Sequence, residues 1–268
     1  MACSRVFWNY NPDKVVGRTL DWPPARRLPV VYAFRASHAR RRDAKPGKLG
    51  FKLQHRIMGV FDKGATEGIY DRGLAAHLLY LDDAKFETRD AKRSGAKRSG
   101  VGFWLWAQYY LDNFKTVREA LAGQKQVQIV KTAFGPYQDG MPVHLALSSS
   151  STVTPWCIWG NATSCGTITE LPGGIQATER FVRAAYALKY LPKTDDAAKP
   201  VAYLLSVMNN VSVPFGSPYI GVSGTYPTWW RCVIELSNRM YAVQTTVTPN
   251  VFWVDIAKLN TVAGAKPR

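Results

Sequence analysis

Acidic residues and histidine are scarce in this chain of 268 residues: 19 Asp and Glu stand against 35 Lys and Arg, there are 4 His, and the formal net charge is +16. The scattered histidines and the 4 cysteines, none in a CxxC pair, supply no ligand pattern for structural zinc, and so few cysteines exclude a disulfide-dense scaffold. No apolar run is long enough to span a bilayer, and the first residues lack the basic, apolar and small-residue regions of a signal peptide, so the chain as written is expected to be soluble and cytoplasmic. What it has in quantity is apolar side chains, 46% of the total, enough for a substantial core in a single domain over 1–268.

The positive charge concentrates in "PARRLPVVYAFRASHARRRDAKPGK" and in "RDAKRSGAKRSG", which repeats AKRSG. Neither has helical amphipathicity or an ordered alternation of basic and aromatic residues, so both are expected to be solvated loops. A dedicated nucleic-acid face is the competing account of the same charge.

Along the chain, "SRVFWN" and "KVVGRTLDW" are β-rich runs joined at "YNPD", which predicts a hairpin. Phe51, Leu53, His55 and Ile57 alternate as in a strand, and "GIYDRGLAAHLLYL" predicts a second hairpin around Asp71-Arg72-Gly73. Helical spacing follows in "FWLWAQYYLDNF", whose aromatics are expected to pack in the core. It continues in "TVREALAG", with Thr116 and Glu119 at capping-box spacing and Gly123 as a stop. "KQVQIVKTAF" and "PVHLALSSSS" resemble strands, where His77 of the earlier hairpin and His144 are expected to be structural. Helices return in "TERFVRAAYALKYL", capped at Thr178, and in "KPVAYLLSVMNN"; "RCVIEL", "MYAVQTTV" and "NVFWVDI" close the chain as strands. Strands separated from helix pairs indicate an α+β fold with two sheets and helices outside.

Cys3 is the residue whose place calls for chemistry. Sulfur attacks as a thiolate, and a thiol of ordinary pKa, about 8.5, needs a base or a positive neighbour to react at neutral pH. Were Met1 and Ala2 removed, the α-amine of Cys3, with a usual pKa of about 7.7–8.0, could be that base. The hairpin returns Arg18 and Asp21 beside it. The alternative is that Cys3 is a small buried hydrophobe and that Arg18 and Asp21 form an ordinary ion pair.

"CSRVFW" with "VVGRTLDW", then "GLAAHLLYL", "WAQYYLDNFKTVREAL", "LPGGIQATERFVRAAYALKYLP", "SVMNNVSVPFG" and "TVTPNVFWVDIAKL", together resemble the choloylglycine hydrolase and penicillin V acylase family, in family order from end to end. The resemblance implies a bacterial N-terminal nucleophile amidase with a four-layer αββα sandwich, acting on a small-molecule acyl amide without cofactor or metal. Conjugated bile acids, penicillin V and acyl-homoserine lactones are the substrate types it implies. It makes Cys3 the nucleophile, Arg18 and Asp21 its neighbours, and Trp22 a border of the substrate pocket. Tyr80 falls where the family carries an Asn or Tyr that lends an oxyanion donor, and Arg180 matches the arginine that closes the catalytic set. It also implies a homotetramer, and a periplasmic location if a leader is removed ahead of Cys3.

Two segments depart from the family pattern: about 24–48, and 149–171, which is shorter than its family counterpart. Asn161 is the asparagine of the latter and stands in for the oxyanion asparagine of the family. Two further readings therefore remain, a catalytically impaired member and, from the charge alone, a nucleic-acid binder.

Overall fold

The computed structural model describes residues 3–9, 13–23, 30–35, 55–61, 64–81, 84–86, 98–130, 132–133, 140–150, 171–196, 198–221 and 223–259. The chain forms two compact units, one from residues 1–28 and 152–255 and the other from 29–151 and 256–268.

The first unit begins with the expected hairpin. Strand β1 (Arg5–Asn9) pairs antiparallel with β2 (Lys14–Asp21), placing Arg5 opposite Arg18 and Asn9 opposite Lys14. From Val15 onward every residue of β2 is buried, polar ones included. Val15, Val16 and Leu20 drive that burial, and the strand carries Arg18, Thr19 and Asp21 inside with them.

The second unit follows. Its main sheet is antiparallel, in the order β3 (Val30–Arg35), β4 (His55–Phe61), β5 (Gly64–Tyr70), β6 (Ala75–Tyr80), with β9 (Val143–Ser148) at the far edge; β7 (Ser99–Gly102) and β8 (Val127–Val130) form a separate parallel pair. Gly73, at φ +86°, makes the turn between β5 and β6. A 3₁₀ turn at Phe103–Leu105 leads into α1 (Trp106–Asn113), which lies on β5 and β6. Phe103, Ala107 and Leu111 pack there with Ala65, Leu78 and Val143, so the aromatic-rich segment is core, as expected. In α2 (Val117–Gly123), the Thr116 side chain accepts from the Glu119 amide, the expected N-cap.

The chain then returns to the first unit. Helices α3 (Ala177–Lys189) and α4 (Lys199–Asn210) precede β10 (Thr228–Glu235), β11 (Met240–Thr245) and β12 (Val251–Asp255). The antiparallel sheet runs β1-β2-β10-β11-β12. Val201, Leu204 and Met208 of α4 and Ala184 of α3 pack on Val6, Val15, Val233 and Ala242. At Gly17 a Cβ would stand 2.7 Å from both Cγ and Sδ of Met208, so glycine is what lets α4 lie against β2. No described helix is long and apolar enough to cross a membrane.

Three local expectations are corrected. The basic stretch after Pro23 is not loop throughout, because its Val-Val-Tyr-Ala-Phe-Arg centre pairs with β4 as β3. Ser99 and Gly100, the end of the second basic stretch, belong to β7, a strand that parallel pairing with β8 creates in a glycine-containing segment of weak strand propensity. Helix α3 is capped at Gln176, not Thr178: the Gln176 amide donates to Glu179 Oε2 at 3.0 Å, and the Gln176 side chain completes the reciprocal box. Phe51 and Leu53 lie outside the described residues.

Candidate active site

The start of β1 and the end of β2 meet at one end of the first unit's sheet. There the Thr19 amide donates to the Ser4 carbonyl at 2.9 Å, and the Ser4 amide to Thr19 Oγ1 at 2.9 Å. This double tie holds Cys3 against β2. Side chains alternate along a strand, so Thr19 and Asp21 share the face of Gly17, which abuts α4, while Arg18 points to the other face. Ser4 and Cys3 divide in the same way, and the sheet end offers one set of groups on each side.

On the face away from the helices, Cys3 is 8% exposed and Arg18 is buried. Arg18 Nη2 donates to Cys3 Sγ at 3.8 Å, and its guanidinium carbon stands 5.8 Å from the centre of the Trp230 ring. The Cys3 thiol itself faces the Asp21 carbonyl at 4.0 Å. A sulfur that attacks as an anion thus has a fixed positive charge beside it.

On the helix face, Asp21 is held from three directions. Its Oδ1 accepts from Thr228 Oγ1 at 2.6 Å, and its Oδ2 accepts from Thr19 Oγ1 at 3.2 Å and from Arg180 Nη1 at 2.9 Å. Burial pushes the Asp21 carboxyl above the usual carboxylate value, while Arg180, Thr228, Thr19 and Arg18 pull it back toward the ionised form. Thr228 in turn accepts from the Val213 amide at 2.8 Å, which ties the start of β10 to the segment after α4.

Arg180, 2% exposed, projects from the first turn of α3. Its Nη1 also donates to Ser4 Oγ at 2.6 Å and its Nε to the Ile175 carbonyl at 2.9 Å. The loop supplying that carbonyl is latched by Arg183, whose Nη1 donates to the carbonyls of Pro172 (2.8 Å) and Gly174 (2.6 Å) and whose Nε donates to that of Asn210 (3.2 Å). Burial, and then the like charge of Arg180, lower the pKa of Arg183. One arginine of α3 therefore reaches the site and the other sets the loop that orients it.

Of the residues expected from sequence, Cys3, Arg18, Asp21 and Arg180 come together here. Trp22 adjoins them: its amide donates to the Pro227 carbonyl at 3.2 Å, and its carbonyl accepts from Trp229 Nε1 at 3.0 Å. Tyr80 is buried at the end of β6 in the second unit. Asn161 lies outside the described residues. Sequence reasoning missed Ser4, Thr19, Thr228 and Trp230. The first two sit inside the quoted motifs and could have been found there, whereas nothing local marks the last two. Among the described residues no cluster of His, Cys, Asp and Glu could hold a metal ion.

At this sheet end a buried thiol has one arginine beside it, and an Asp–Arg pair holds the neighbouring strand, so a potential nucleophile stands next to a fixed positive charge. The chain belongs to the choloylglycine hydrolase family of linear amide C-N hydrolases, whose family model matches residues 3–155 and 153–263. It is an amidase by that membership. Among its relatives, the penicillin V acylase of Pectobacterium atrosepticum is 27% identical over 317 positions, covering 97% of this chain and 82% of the relative. The structure of penicillin V acylase from Agrobacterium tumefaciens matches with a TM-score of 0.76 at 27% identity, over 97% of this chain and 87% of that one. A mutant of the conjugated bile acid hydrolase from Clostridium perfringens shares the fold, with a TM-score of 0.75 at 15% identity over 100% and 96% of the two chains.

Proposed function

We propose that the protein hydrolyses an acyl amide, a phenoxyacetyl penicillin, a conjugated bile acid or an acyl-homoserine lactone, with Cys3 as nucleophile once Met1 and Ala2 are removed. The observation that carries this is the meeting of Cys3, Arg18, Asp21 and Arg180 at one sheet end, from segments far apart in the chain. Cys3 Sγ adds to the amide carbonyl carbon, and the freed α-amine takes the thiol proton and passes it to the leaving nitrogen as the C–N bond breaks. Water then hydrolyses the thioester. Arg18 holds positive charge beside the sulfur. Asp21, kept in place by Arg180 and Thr228, orients the α-amine. Trp22 borders the acyl pocket, and Tyr80 and Asn161 contribute oxyanion donors. The proposal includes the αββα layering, the two units forming one domain, and a homotetramer. The helices lying on one sheet in each unit and the end-to-end likeness to a penicillin V acylase support the layering.

Turnover of the three substrate types should vanish in Cys3→Ala and weaken in Cys3→Ser, and intact mass should show Met1 and Ala2 gone. Hydrolysis that survives in Cys3→Ala sinks the proposal.

One observation favours a second reading, a family member with impaired catalysis. The alignment with the Pectobacterium relative spans 317 positions while the chain has 268 residues, so the relative carries internal sequence this chain lacks. The two family matches meet at 153–155, inside the segment where the oxyanion asparagine is expected. Losing one oxyanion donor costs about 10²–10³ in rate. On this reading a thiol reagent labels Cys3 while all three substrate types stay intact.

A further inference from the structure

Between α4 and β10 the chain folds back through an isolated bridge of Pro218 with Thr225, with Gly216, Gly221 and Gly224 at positive φ. It rejoins the site where the Pro227 carbonyl meets the Trp22 amide and Thr228 meets Asp21. Tyr219 stands at the base of this fold-back, 5% exposed, its ring edge-on to Tyr226 at 6.0 Å. Among the described residues its hydroxyl has no hydrogen-bond partner. Buried hydroxyls are ordinarily satisfied, and one that is not is an exception with a cause.

The ionisable groups acting on Tyr219 are those of the site: Arg180, Asp21 and Cys3. The two charged ones are already engaged, since both Asp21 oxygens accept bonds and Arg180 is divided among Asp21, Ser4 and Ile175. The Tyr219 hydroxyl, near these groups, has no partner of its own among the described residues. Burial, the larger influence, pushes the phenol up to about 12, so it stays protonated throughout the working pH range.

We propose that Tyr219 is a further catalytic residue, whose Oη–H donates a hydrogen bond to the carbonyl oxygen of the amide as it becomes an oxyanion. The proposal rests on the nucleophilic role of Cys3. As Sγ bonds to the carbonyl carbon, the C=O π pair moves onto oxygen, and Tyr219 stabilises that charge while keeping its own proton. The thiol proton still travels through the α-amine to the leaving nitrogen. Such a donor, held ready in a water-poor site, acts on the transition state more than on the bound substrate.

The test is Tyr219→Phe, which removes one oxygen and keeps the ring, assayed beside the wild type and Cys3→Ala for kcat, KM and melting temperature across pH. The expected result is a fall in kcat of about 100-fold with KM little changed. The melting temperature should hold or rise, because the deleted hydroxyl had no partner to lose, and both limbs of the pH–rate profile should stay in place. A kcat within about threefold of wild type, far below the usual effect of an oxyanion donor, overturns the role. So does a displaced limb, which would put the hydroxyl on the α-amine instead. Activity surviving in Cys3→Ala, or a wild type that turns over nothing, removes the Cys3 reaction and the role of Tyr219 with it.

Discussion

Asp21 shows how much a single buried group organises. Its carboxylate collects a hydroxyl from β10, a hydroxyl from its own strand and a guanidinium from α3. An ion pair buried this deeply adds little net stability when intact, because desolvating both charges offsets their attraction. Breaking it is another matter, since the surviving charge stays buried alone. Asp21→Asn keeps the shape and removes the charge, and it should lower unfolding free energy by about 3–5 kcal/mol in urea titration, with hydrolysis lost. The hairpin spacing places Asp21 near Cys3, and sequence reads that much correctly. Which cation would face the carboxylate is not a local property: Arg180 comes from 159 positions away, and only the likeness to a family pointed to it.

At the scale of elements, α3 works through both its arginines. Arg180 reaches the site, while Arg183 gathers the carbonyls of Pro172, Gly174 and Asn210 and so fixes the turn that presents Ile175 to Arg180. Gly174 leaves room for this, because a Cβ there would run into the Glu179 carboxylate of the capping box. Arg183→Met keeps the aliphatic stem and removes the latch. It should cost about 1–3 kcal/mol by urea denaturation, the scale of carbonyls left unpaired, and lower kcat/KM as Arg180 loosens. The cap of this helix was misassigned from sequence because Thr178 and Gln176 both precede an apolar run, and the reach of Glu179 back to Gln176 decides between them. Strand β3 escaped notice for a different reason. Its flanking arginines dominate composition, whereas its pairing with β4 depends on residues at least 20 positions further along.

At the scale of the whole molecule, the excess of Lys and Arg shapes behaviour in solution more than it shapes the site. A net charge of +16 attracts polyanions without sequence preference, and counterion release makes such binding steeply salt-dependent. The protein should bind DNA of any sequence at low ionic strength and release it by physiological salt, as fluorescence anisotropy over a salt series would show. Tight binding that persists at physiological salt would point to a dedicated surface. The route of the chain also matters at this scale. It starts the first unit, builds residues 29–151 of the second, and then returns, so the sheet end bearing Cys3 is complete only after β10 has paired with β2.

Sequence by itself determined the hairpin of β1 and β2, the buried aromatic segment of α1, the cap of α2 and the order of strands and helix pairs. These depend on neighbours within a turn or two, where hydrophobic period and capping chemistry act. It also singled out Cys3 as a residue whose neighbours could make it reactive. Only the tertiary structure decided that Arg18 and Asp21 leave β2 on opposite faces, that Thr228 holds Asp21 across 207 positions, and that the Tyr219 hydroxyl is buried without a partner among the described residues. Those facts follow from which side chains a folded sheet end brings within 3 or 4 Å, and no periodicity along the chain encodes that distance.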